Sequence, residues 1–98
     1  MEDRLSSAIV LYFSDRRGVV KEQGRKLLSA TFEASQCAEL VSEIEKLVER
    51  SFVIGKKFRH LELIAAADSV RGELSQVYPE LSKEAVDSLT WYWTFCNR

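Results

Sequence analysis

Few residues in this chain have the types and spacing that do chemistry. His60 is the one histidine, and Cys37 and Cys96 are the two cysteines. A thiolate paired with an imidazole base is a nucleophile. Here both cysteines fall on the apolar faces of the helices that carry them, where a thiol stays protonated and inert. His60, in "KKFRHLEL", sits within or at the edge of an apolar arc. That placement suits a histidine bonded to a backbone carbonyl or to Glu62 better than a general base. The cysteines are far apart in sequence, with no C-x-x-C pair, and one histidine does not complete a zinc set. Asp68, in "AAADSVRGEL", has Arg71 three positions on, the spacing of an intrahelical ion pair. No phosphate-binding glycine loop, dinucleotide fingerprint, H-E-x-x-H, EF-hand loop or G-x-S-x-G occurs. The expectation is a protein without catalytic residues, metal or cofactor, not an enzyme, which acts by binding.

Two surfaces are candidates for that binding. The chain closes on "LTWYWTFCNR", which holds four of its ten aromatic residues. On a helix turning about 100° per residue, with Leu89 at the origin, Ala85, Val86, Tyr92, Trp93 and Cys96 form a complete core face. Trp91 and Phe95 fall on the opposite side as an i,i+4 pair, flanked by Glu84 and Asp87. A helix that is apolar all round is normally buried, so three coverings are open: another segment of this chain, a second copy in a homodimer, or a separate protein held by two ring anchors. The second surface is the acidic face Glu39, Glu43 and Glu49, which suits a basic partner such as a nucleic-acid-binding protein.

A different class of function rests on Arg16, Arg17, Lys21 and Arg25, a basic cluster in "DRRGVVKEQGRKLLSA" that suits a small helical DNA-binding regulator. No aromatic or amide-rich reading surface accompanies it. The whole chain has 14 basic and 15 acidic residues, net −1, so nucleic acid is the lesser expectation and bulk attraction to an anionic membrane is absent. Charge is arranged in blocks: basic over residues 1–30, acidic over 31–49, basic over 50–60, acidic over 61–98. Such alternation describes neighbouring helix faces that attract one another. The opening "MEDRLSSAIVLYFSD" has an acidic start and too short an apolar run for a signal peptide or a membrane span. A cytoplasmic location with reduced thiols is expected.

These side chains need helices to position them. Four glycines and one proline in 98 residues are too few for the turns of an all-β fold. In "SQCAELVSEIEKLVERSF" the apolar residues Cys37, Leu40, Val41, Ile44, Leu47, Val48 and Phe52 recur at three and four, one stripe of a helix. Ser35 is its candidate N-cap, and Gly55 suits the left-handed position past its end. A helix from about Phe58 to Val77 presents Leu63, Ile64, Ala67, Val70, Leu74, Val77 and Tyr78, and Pro79 stops it. The last helix starts with Ser82 as cap and Leu81 and Val86 as a hydrophobic staple. Ahead of these, Leu5, Ala8, Ile9, Tyr12 and Phe13 make one stripe. Val20, Leu27, Leu28 and Thr31 make another, weakened by Gly24 at about 1 kcal/mol relative to alanine. Residues 51–58 also fit a short hairpin. The expected fold is all-α, a compact antiparallel bundle of four or five helices in a single domain over 1–98. The expected role is a small protein–protein interaction protein: a stoichiometric inhibitor, an immunity-like or anti-defence-like protein, or an adaptor, possible homodimerisation included.

Overall fold

A computed structural model describes residues 4–16 and 19–97. It contains five α-helices: α1 Arg4–Tyr12, α2 Val20–Thr31, α3 Ala34–Gly55, α4 Leu63–Val77 and α5 Lys83–Asn97. A short 3-10 turn, Lys56–Phe58, follows α3, and no strand occurs among the described residues. The protein is an all-α bundle.

Helix starts follow local chemistry. Ser82 accepts the Ala85 N–H on its Oγ at 3.1 Å, while Leu81 and Val86 are both buried. This is the cap and staple expected of α5. The Ser82 N–H in turn donates to Ser6 Oγ at 2.9 Å, tying the start of α5 to α1. At α3 the cap is Glu33 rather than Ser35, and Gln36 reaches back to accept the Glu33 N–H at 3.4 Å. The chain turns two residues earlier than the serine suggested because Phe32 must tuck against the core.

Along the bundle, α2 packs on α1, α1 on α5 and α5 on α4, while α3 touches all four. The Cα trace measures 41 × 32 × 18 Å. Its least dimension leaves room for only two layers of helices at 8–10 Å spacing. Every helix sends residues to one apolar cluster: Ile9, Tyr12 and Phe13 from α1 and the turn after it, Leu28 from α2, Ile44 from α3, Val70 and Leu74 from α4, and Leu89 from α5 are fully buried.

Two glycines mark close approaches. A Cβ on Gly24 would lie 2.7 Å from both the Tyr12 ring and the Tyr12 carbonyl oxygen, so α2 meets α1 there backbone to ring. A Cβ on Gly55 would collide with the indole Nε1 of Trp93. Gly55 has φ −61° and belongs to the last turn of α3, so it serves as a flat seat for Trp93 and not as a left-handed terminator.

The α4 stripe differs from expectation in two ways. The helix begins at Leu63, because residues 56–61 are spent turning the chain back beside α5. Residues 51–58 are accordingly helical or 3-10, not a hairpin. The buried side of α4 is Ala66, Ala67, Val70 and Leu74, which leaves Ile64 73% and Val77 47% exposed. Cys96, placed on the core face by angle alone, is exposed, at the rim of a hollow that it lines with Phe52, Gly55 and Trp93. No helix among the described residues is long and apolar enough to cross a membrane.

Candidate functional site

The aromatic residues of α5 divide by side. Trp93 is only 4% exposed and lies on Gly55 of α3. Tyr92 stacks on Phe13 at 5.1 Å and on Phe52 at 6.3 Å between ring centroids, joining α5 to the α1 turn and to α3. On the far side Trp91 stacks on Phe95 at 5.3 Å, with the ring planes 21° apart. The Arg16 guanidinium lies 4.1 Å from the Trp91 ring centroid, and its Nε donates to the Phe13 carbonyl at 3.1 Å. Part of the covering of Trp91 therefore comes from this chain, as a cation over the ring face. Trp91 is half-buried, and Phe95 remains 37% exposed.

Beside Trp91, a groove of about 280 Å³ runs along the seam of α4 and α5. Its walls include Ile64, Ala67, Thr90, Trp91 and Thr94, and one end is closed by Asp68, Arg71 and Asp87. Arg71 donates to Asp68 at 2.7 Å and to Asp87 at 2.9 Å. The expected i,i+3 pair is thus one half of a clasp that also fastens α4 to α5, and the clasp carries a net charge of −1. Asp87 serves this internal contact as well as the rim, whereas Glu84 is fully on the surface. Trp91, Phe95, Glu84 and Asp87 lie on one stripe of α5, since residues seven apart return to the same side.

The other sequence candidates lie elsewhere. Glu39, Glu43 and Glu49 are exposed on α3, and Glu43 pairs with Lys46 at 3.6 Å. In the basic cluster, Arg25 is held by Glu45 at 3.2 Å and Arg16 by Trp91. Lys21 is exposed, and Arg17 lies outside the described residues. Two of the four basic groups are therefore engaged within the chain. Cys37 donates to the carbonyls of Leu28 at 3.1 Å and Phe32 at 3.4 Å, and His60 is exposed. Among the described residues no group of three His, Cys, Asp or Glu converges as a metal would need. Ile64 was missed as a surface residue, although its angle gave a signal: it lies about 80° from Leu74, beyond the alanine edge of the arc. Nothing in the sequence signalled the contact of Arg16 with Trp91, which joins distant segments.

Two tyrosines are perturbed. Burial raises the Tyr12 hydroxyl above its usual range, partly offset by Arg25, and this oxygen has no hydrogen-bond partner among the described residues. Tyr92 is pushed up to about 12, first by burial and then by its hydrogen bond with Cys96. A group whose folded pKa is raised contributes stability that is complete below its unfolded value and lost as pH climbs through the folded one. The unfolding free energy should therefore fall across the window from about 10 to about 12. Urea titrations at several alkaline pH values check this, and Tyr92→Phe should flatten the decline. A slope unchanged by Tyr92→Phe would show that Tyr92 is not its source.

Comparison with known proteins finds no family model, no curated sequence and no solved structure that matches this chain.

Proposed function

We propose that this chain is a small helical protein–protein interaction protein. It acts by surface binding, as a stoichiometric inhibitor, an immunity-like or anti-defence-like protein or an adaptor, and without catalysis. The observation that carries this reading is Ile64, a large aliphatic side chain 73% exposed beside the Trp91 ring. Burying such a side chain in a partner gains roughly 1.5–3 kcal/mol. An aromatic–aliphatic pair inside a polar rim, here Glu84, Asp68 and Asp87, is the usual make-up of a binding hot spot. The nucleic-acid alternative is weakened by the engagement of Arg16 and Arg25 within the chain.

Ile64→Asp tests the reading with little risk to the fold, because the side chain already faces water. Wild type and variant, matched for folded concentration, serve as baits in lysate of the source cells, and the captured proteins are quantified. The expected result is a species, this chain itself included, depleted at least about 30-fold by the variant, as loss of a 2 kcal/mol hot spot requires. Identical captured sets would overturn the assignment of binding to this face.

A further inference from the structure

We propose that the hollow where the end of α3 meets the end of α5 is a binding site for a small organic monoanion, a carboxylate borne on a flat apolar body. It lies on the Trp93 side of α5, away from Trp91, and does not depend on the α4/α5 face. The indole of Trp93 carries the proposal. Trp93 is only 4% exposed, and a buried indole N–H ordinarily donates to an acceptor. This one makes no hydrogen bond among the described residues, yet, unlike the Tyr12 hydroxyl, it is not sealed from solvent. The edge that bears Nε1 lies over Gly55, where a side chain would collide with it. Gly55 and Trp93 both line a hollow of about 220 Å³. The missing side chain therefore leaves the N–H open to that space.

Two cations converge on the same hollow. Lys56 and Arg59 both line it. They stand at the start of the 3-10 turn and at its C-cap, a separation of three at which side chains eclipse one another. Neither has a carboxylate partner among the described residues, whereas Lys57 between them turns away to Glu73 at 2.6 Å. No carboxylate among the described residues lines the hollow. A lone water would satisfy the indole N–H but would leave both cations unpaired. Charge then selects the ligand. Against the two positive charges, the carbonyl ends of α3 and α5, at Gly55 and Asn97, each set about half a negative charge. The remainder, about one positive charge, matches a single carboxylate and falls short of a phosphate dianion. The other walls include Phe52 and the Trp93 ring, apolar surface suited to a flat hydrocarbon body beside the few polar groups that orient it.

The test is a titration of the isotope-labelled full chain with phenylacetate at neutral pH, followed by nuclear magnetic resonance at the indole N–H signals. Trp91→Phe assigns which signal belongs to Trp93. The Trp93 signal is expected to shift saturably as its N–H comes to donate to the carboxylate, while that of Trp91 stays in place. Phenylacetamide, which has the same shape without the charge, should bind at least about tenfold more weakly. Lys56→Gln and Arg59→Gln, both at exposed positions, should each weaken phenylacetate at least about tenfold, with circular dichroism confirming that each variant is folded. A Trp93 signal that phenylacetate leaves unmoved at the highest concentration overturns the site. An equal response to phenylacetamide, or binding unchanged in both variants, overturns the role of the cations and the proposal with it. Inorganic phosphate alone should have little effect; an equal shift with it would overturn the organic monoanion as the ligand.

Discussion

Trp93→Ala is expected to lower the unfolding free energy by about 3–5 kcal/mol, and Trp91→Ala by only about 1 kcal/mol. The two tryptophans are two positions apart on the same helix, α5. Their fates differ because a turn of about 200° separates them. Trp93 is seated on Gly55 inside the cluster, so its removal opens a cavity that α3 and α5 cannot close without moving. Trp91 gives up a half-buried ring face and a cation contact worth roughly 0.5–1 kcal/mol. A domain of this size has a net stability of about 5–15 kcal/mol, so Trp93→Ala leaves a marginal protein and Trp91→Ala an ordinary one. Urea unfolding followed by far-ultraviolet circular dichroism measures both. Equal midpoint shifts would mean that the inside and outside of α5 are wrongly placed.

The second large effect reverses a rule of helix propensity. Alanine in place of a mid-helix glycine ordinarily stabilises by about 0.8–1 kcal/mol. Gly72→Ala in α4 should do so, since nothing lies within 4 Å of the added carbon. Gly24→Ala should instead destabilise by about 1–3 kcal/mol, the usual cost of overpacking. The new methyl would stand 2.7 Å from the Tyr12 carbonyl oxygen as well as from its ring. A ring can swing aside, but a backbone oxygen moves only if α1 moves. Because Tyr12 and Phe13 meet edge to face at 4.9 Å and Phe13 stacks on Tyr92, that displacement would reach α5. Thermal midpoints of the two variants should move in opposite directions. If both rise, α1 and α2 are farther apart at Gly24 than described.

How much of this was legible follows from what periodicity can carry. The stripe of α3 was readable because Cys37, Leu40, Val41, Ile44, Leu47, Val48 and Phe52 recur over about four turns and average out any error of phase. Ser82 with Leu81 and Val86 was readable because capping is local. The clasp was half readable: Arg71 follows Asp68 on one helix, while Asp87 comes from another. Apolar spacing gives an arc but not its edges. Ile64 sits one side-chain width outside the alanines that form the true inner edge of α4, and Cys96 has the right angle but stands at the rim of a hollow between α3 and α5. Gly24 and Gly55 looked like a weakness and a stop signal, because a sequence does not show which ring will lie against a missing side chain. The split of α5 into Trp93 inward and Trp91 outward was readable from angle; the guanidinium that lies over Trp91 was not, since it arrives from α1's end of the chain.

The bond from Ser82 to Ser6 closes 76 positions of chain, and it has a consequence for the newborn protein. The ribosome delivers α1 first and α5 last, yet α1 packs on α5 as well as on α2. Ile9 and Phe13 must therefore wait, with part of their native cover missing, until Leu89 and Tyr92 have been made. Closing so long a loop costs about 2 kcal/mol more entropy than closing one of ten residues. Docking of the last helix onto the first is thus the late, cooperative step, and a nascent chain stalled before α5 would present its apolar α1 face to chaperones.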